Sequence, residues 1–254
     1  YCGESFHIYC DGSNFKILDD DRGISTNIGD DYDSRPIAEG DKSIAIGLNA
    51  VSVGTSTIVL GSGRASSTES ASINIATHSA AYGASGSYST AIGNYAKASG
   101  LAAFAFGGST SAAAQHSYAI GYSSEANSTG GQAFGYNAVA NGSYGIALGR
   151  VATVAATDGI SVGKETYTNV LGKIAFSSGK FADVGDCQEG LFVLKSDTTN
   201  ATAEKMTTDN NPSSADSGNQ IQVRSYAALA FHGMVVCRQQ SADGADCSAW
   251  RVEG

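Results

Sequence analysis

Ser89-Thr-Ala-Ile-Gly93, Ala103-Phe-Ala-Phe-Gly107, Ser117-Tyr-Ala-Ile-Gly121, Gly131-Gln-Ala-Phe-Gly135 and Gly145-Ile-Ala-Leu-Gly149 are one five-residue unit, each glycine 14 residues after the last. The step continues to Gly163 and is met upstream at Gly47 and Gly61. So strict a period predicts a solenoid, in which each repeat buries its face only by stacking on its neighbours. A large apolar residue precedes each glycine: Ile46, Leu60, Ile92, Phe106, Ile120, Phe134, Leu148 and Val162. Two positions before it stands a smaller one: Ala45, Val59, Ala91, Ala105, Ala119, Ala133, Ala147 or Ser161. This alternation has the period of a strand, not of a helix. A second alternation follows, as in Ala96-Lys97-Ala98 and Ala138-Val139-Ala140, so one coil holds two short strands and two turns.

The alternation also assigns the faces. A coil of 14 residues, at about 3.3 Å per strand residue, encloses too thin a lumen for facing Ile and Phe. The small column therefore points in and the large column out, giving a ridge that includes Ile44/Ile46, Ile58/Leu60, Phe104/Phe106, Tyr118/Ile120 and Ile160/Val162, with Ile73/Ile75 from an irregular coil over 71–86. Leaving such a ridge wet costs on the order of tens of kcal/mol, and an apolar patch of this size marks an interface. The expectation is a homo-oligomer; a cyclic homotrimer closes the surface on one axis.

The units Ser43-Ile-Ala-Ile-Gly47, Ser89-Thr-Ala-Ile-Gly93, Ser117-Tyr-Ala-Ile-Gly121 and Gly145-Ile-Ala-Leu-Gly149, followed by Ala-x-Ala/Ser-x-Gly, resemble the YadA-like head repeats of trimeric autotransporter adhesins. The resemblance covers about 41–163 and implies an all-β chain: a left-handed parallel β-roll of about nine 14-residue coils, in a trimer used as an adhesive head.

Composition bounds the rest. With 32 glycines and 2 prolines the chain suits many tight turns, and it has neither a heptad seam nor a long apolar run that would span a membrane. Its formal charge of -9 is concentrated early: residues 11–41 hold nine acids against Lys16, Arg22 and Arg35, whereas 41–163 has eight charged residues in all. Without a basic stripe, nucleic acid is not an expected partner.

Residues 1–40 read as a small acidic β cap, with Phe6 to Tyr9 and Phe15 to Leu18 as strands around an Asp11-Gly12 turn, covering the open edge of the first coil. The clusters Asp19 to Asp21 and Asp30 to Asp33 lack the spacing of a calcium loop and are read as solvated turns in preference to a metal site. Residues 164–180 read as a connector leaving the roll, and 181–254 as short strands between polar loops, an antiparallel β-sandwich. The string Gly179-Lys-Phe-Ala-Asp-Val-Gly-Asp-Cys-Gln-Glu-Gly190, with Tyr226 to Gln239 and Ala249-Trp-Arg-Val-Glu-Gly254, is similar to a β-sandwich module of bacteriophage tail fibres. That resemblance implies a module that continues beyond Gly254 and is incomplete here; Tyr1 as first residue suits a trimmed product.

Five cysteines stand at 2, 10, 187, 237 and 247. Asp243-Gly244 is a hairpin turn signal between Cys237 and Cys247, which predicts a disulfide across two strands. Cys2 and Cys10 are a second candidate pair, leaving Cys187 as a subunit bridge or a plain buried thiol. No catalytic or metal constellation emerges: His7, His78, His116 and His232 are scattered, and no zinc spacing or paired carboxylates occur in the roll. Tyr95, Tyr122 and Tyr136, just past their glycines, are candidate ligand contacts, suited to a sugar or protein partner; the alternative is that they merely cover the turns. The resemblances imply a non-enzymatic extracellular protein without cofactor: a phage-type fibre or spike that attaches to a cell-surface glycan or protein receptor alongside other virion proteins. The alternatives are a bacterial adhesin head or a structural spacer of a filament.

Overall fold

In this computed structural model the described residues are 36–74, 81–200, 202–212, 218–221, 228–239 and 246–254, together with the backbone of three strands at 8–10, 13–17 and 24–26. They are all-β, with no helix among them. The chain divides into two units, residues 1–220 and 221–254.

The first unit is a parallel β-solenoid of about ten turns. Each turn gives one strand of three to five residues to a broad 14-stranded sheet and, in most coils, a two-residue strand to a narrow 10-stranded sheet. Successive coils pair in register 14 residues apart, Phe104 on Tyr118 on Gln132 and Ala105 on Ala119 on Ala133. The small columns point inward. Ala91, Ala105, Ala119, Ala133 and Ala147 from the broad sheet meet Ala98, Ala112, Ala126, Ala140 and Val154 from the narrow one, all fully or almost fully buried. The interior is thus a stack of methyl groups. Side-chain volume contributes little, and the ladders of backbone hydrogen bonds carry the architecture. Hydroxyls that share the interior bond back to turns, as when Ser89 Oγ donates to Gly86 O at 2.6 Å and Ser117 Oγ to Ala114 O at 2.6 Å.

The glycine column has a double cause. Gly107, Gly121, Gly135 and Gly149 have φ between +125° and +141°, and a Cβ on any of them falls within about 2 Å of the next coil's carbonyl oxygen. No other residue fits there without strain. Two further turn columns lie in the left-handed region without using glycine alone. One contains Tyr88, Ala102, His116, Gly130, Tyr144 and Asp158; the other contains Tyr95, Ser109, Ser123, Asn137, Val151 and Glu165.

Two boundaries differ from the sequence reading. The roll starts before residue 41, because Ile24–Thr26 pairs in parallel with Ile44–Ile46, and Ile37–Ala38 opens the narrow sheet. It also runs past 163: Tyr167–Thr168 and Ile174–Ser177 form another coil, so most of the expected connector belongs to the roll. Ser177 is the register partner of Gly163, in the glycine column that Asn74 also enters, and the glycine motif therefore missed it. The first strand of the irregular coil has a defined register. Ala71 to Ile73 pairs with Thr90 to Ile92, a step of 19 residues, so Ile73 occupies the ridge column; Ile75 lies outside the described residues. One step is short: Val51 pairs with Arg64, 13 residues on.

At the start, Ile8–Cys10 and Ser13–Ile17 form an antiparallel pair, and Ser13–Ile17 pairs with Ile24–Thr26, so the broad sheet's first edge is covered. The acidic clusters 19–21 and 30–33 and the Asp11-Gly12 turn lie outside the described residues. At the far end Glu189–Leu191 pairs antiparallel to Ile174–Ser177. The Gln188 amide accepts from Tyr167 N at 2.9 Å and donates to Tyr167 O at 2.8 Å, taking the place of a next narrow strand. Lys173, in a column that elsewhere holds Ser, Thr, Ala or Gly, is buried, with Nζ 5.6 Å from the Phe192 ring centre.

The second unit is an antiparallel hairpin, His232–Arg238 with Cys247–Glu253. Among the described residues one two-stranded sheet follows the roll in sequence, and no second sheet of the expected sandwich is among them. The register also corrects the expected disulfide. Cys237 is opposite Ser248 and Cys247 opposite Arg238, which puts the two thiols on opposite faces of the ladder, and both are free. Cys187 is free and exposed, not a buried thiol, and Cys2 lies outside the described residues.

Candidate functional site

The outer face of the broad sheet carries the large column. Ile46, Ile92, Ile120, Phe134 and Val162 are half-buried, and Leu60, Phe106 and Leu148 are exposed, Phe106 by 46% and Leu148 by 48%. The second outward column, two residues earlier on each strand, adds Ile44, Ile58, Phe104, Tyr118, Ile146 and Ile160. Phe104 packs beside Phe106, ring centres 6.5 Å apart, and at the same distance from Tyr118 of the next coil. Strand pairing alone aligns these side chains, since each sits on the residue 14 positions away. The result is a largely apolar face running most of the length of the roll, with Thr90 and Gln132 as polar members.

One residue beyond the glycine column the surface changes character. Tyr122 and Tyr136 are register partners, stacked with ring centres 5.5 Å apart and planes 13° from parallel. The column continues into Arg150 and Lys164. Both cations approach the partly buried carboxylate of Glu165, at 3.9 Å and 3.6 Å. Of the three tyrosines singled out in the sequence, the structure brings Tyr122 and Tyr136 together. Tyr95 sits elsewhere, in a left-handed turn, against the edge of Tyr82 with ring centres 5.0 Å apart. Sequence reasoning missed Arg150 and Lys164, although the 14-residue step from Tyr122 and Tyr136 leads to them directly.

Among the described residues no cluster of His, Cys, Asp and Glu is arranged to hold a metal. A polar depression of about 370 Å³ lies among the loops near Ser196, Glu204, Lys205 and Asn211. Beside it the Asp209 carboxyl is held down to about 2 by hydrogen bonds from the side chain and backbone of Asn211 and the side chain of Asn219.

The roll is similar to the YadA head domain repeat, which matches in two copies spread over residues 38–63, 84–110 and 133–152. Repeats of that kind define a class of surface-exposed, non-enzymatic adhesins built as trimers. No curated protein matches the chain.

Proposed function

We propose that this chain is part of a non-enzymatic trimeric attachment fibre or spike, in which three rolls meet through their broad-sheet ridges and present their remaining faces to a receptor on a target cell. The observation that carries this reading is the outward apolar column from Ile46 to Val162, which one chain leaves half-exposed. Three copies on a common axis bury it and leave no open end. A rod of repeated coils then binds by many weak contacts acting together, so avidity replaces a deep pocket.

Within that class the reading we favour is a fibre of a phage or phage-like particle, on the resemblance of 179–190 and 249–254 to tail-fibre modules. The head of a bacterial trimeric autotransporter adhesin is the second reading, favoured by the match of the roll itself. Sedimentation equilibrium tests the assembly: a particle of three chain masses is expected, and a stable monomer overturns the proposal. The gene's surroundings separate the two readings, since neighbouring virion genes select the fibre and a C-terminal membrane β-barrel selects the autotransporter.

A further inference from the structure

We infer that the column Tyr122, Tyr136, Arg150 and Lys164 is a binding strip for an acidic glycan, a chain of sugar rings bearing carboxylate or sulfate groups. The inference rests on the attachment reading and gives it a ligand class. The four residues are consecutive register partners, so they form a straight row along the roll, one per coil. Coils rise by about 4.8 Å, close to the length that one ring adds to an extended glycan.

The two halves of the row do different things. Tyr122 and Tyr136 remain 53% and 50% exposed despite their stacking, so each presents apolar ring surface with a hydroxyl at its rim. Tyr122 lies against Gly108, where an added Cβ would come within 3.0 Å of the ring, so the missing side chain lets the phenol lean over the preceding coil. Phenols of this kind suit the apolar faces and hydroxyls of sugars. Beyond them the Arg150 and Lys164 side chains are 60% and 45% exposed, and they share a single carboxylate, that of Glu165. The strip therefore keeps one net positive charge in a chain of formal charge -9. Guanidinium and ammonium groups are suited to carboxylate and sulfate oxygens, Arg through paired donors. A nucleic acid, with a phosphate at every residue, needs a longer run of cations than this row supplies.

The test is calorimetry of the full chain with a heparin oligosaccharide, an oligogalacturonate and a neutral cello-oligosaccharide, the first two separating sulfate from carboxylate. At least one anionic ligand is expected to bind and the neutral one not, with affinity falling as salt is raised. Arg150→Ser and Tyr136→Ala should each weaken binding about tenfold, with the circular dichroism of the roll unchanged, while Tyr88→Ala, at an exposed tyrosine of another turn column, leaves affinity as it was. Equal binding of the neutral oligosaccharide, no binding of any, or unaltered affinity in both variants overturns the strip. Sedimentation of the same samples keeps the two ideas apart. A trimer without glycan binding sinks the strip alone, and a monomer that still binds sinks the fibre reading alone.

Discussion

A Cβ added to Gly121 would lie 2.0 Å from the carbonyl oxygen of Gly135 in the next coil. The same residue has φ +126°, a region that side chains other than hydrogen scarcely enter. Gly121→Ala therefore has to move a coil as well as strain its own backbone, and a loss of at least about 3 kcal/mol is expected. Gly172 is the control: its φ is +66° and nothing lies within 4 Å of the added carbon, so Gly172→Ala should cost only about 1 kcal/mol. Denaturant unfolding of the two variants checks the difference; equal losses would mean that the coils are spaced more loosely than this.

Ala119 and Ile120 are neighbours with opposite duties. Ala119 is fully buried in the lumen, while Ile120 points out and is half-buried. Ala119→Leu forces three more carbons between the sheets and is expected to destabilise the chain by about 3 kcal/mol or more, whatever its assembly state. Ile120→Asp leaves the lumen untouched; in the proposed trimer it buries three charges on the axis and should reduce the sedimenting particle to a single chain while the strand spectrum persists. Unchanged mass and unchanged melting in Ile120→Asp would remove the ridge from the axis.

The columns were legible because a 14-residue step puts each residue on its own kind, so alternation in one coil became burial in ten. Where the step changed, legibility failed. The 19-residue coil hid Ile73 behind Ile75, and Ser177 in the glycine column hid the last coil. The hairpin shows a different limit. Alternation located both strands, yet the register that separates Cys237 from Cys247 depends on the turn between them, and a slip of one residue reverses the face of every side chain. The Tyr122 to Lys164 row was present in the spacing but crossed from aromatic to cationic residues, so a search for one residue type stopped halfway.

Val151 is the β-branched member of a left-handed turn column that also holds Ser123, Asn137 and Glu165, with φ of +58°. A branched Cβ crowds the backbone in that region, whereas Asn tolerates it. Val151→Asn is expected to stabilise the roll by about 1 kcal/mol, read as a higher melting temperature. A decrease would show that the valine methyls pack well enough to outweigh the strain.

Asp209 ties together a loop that sequence spacing does not connect. Its carboxylate accepts from Asn211 N at 3.0 Å, from Asn211 Nδ2 at 2.9 Å and from Asn219 Nδ2 at 2.9 Å, while Thr208 N donates to Asn219 O at 2.8 Å. These donors favour the charged form and hold the folded pKa at about 2, below the ordinary 3.8. The sign follows from linkage. A depressed carboxyl stabilises fully above its unfolded pKa, and that contribution fades as pH falls from about 4 toward and through 2. Amide exchange at Asn211 and Thr208 should therefore accelerate over that acid window and stay flat above it. Asp209→Asn should remove the acid-dependent component, leaving exchange at those amides insensitive to pH there once intrinsic rates are corrected. If the variant kept the same acid step, another group would be holding the loop.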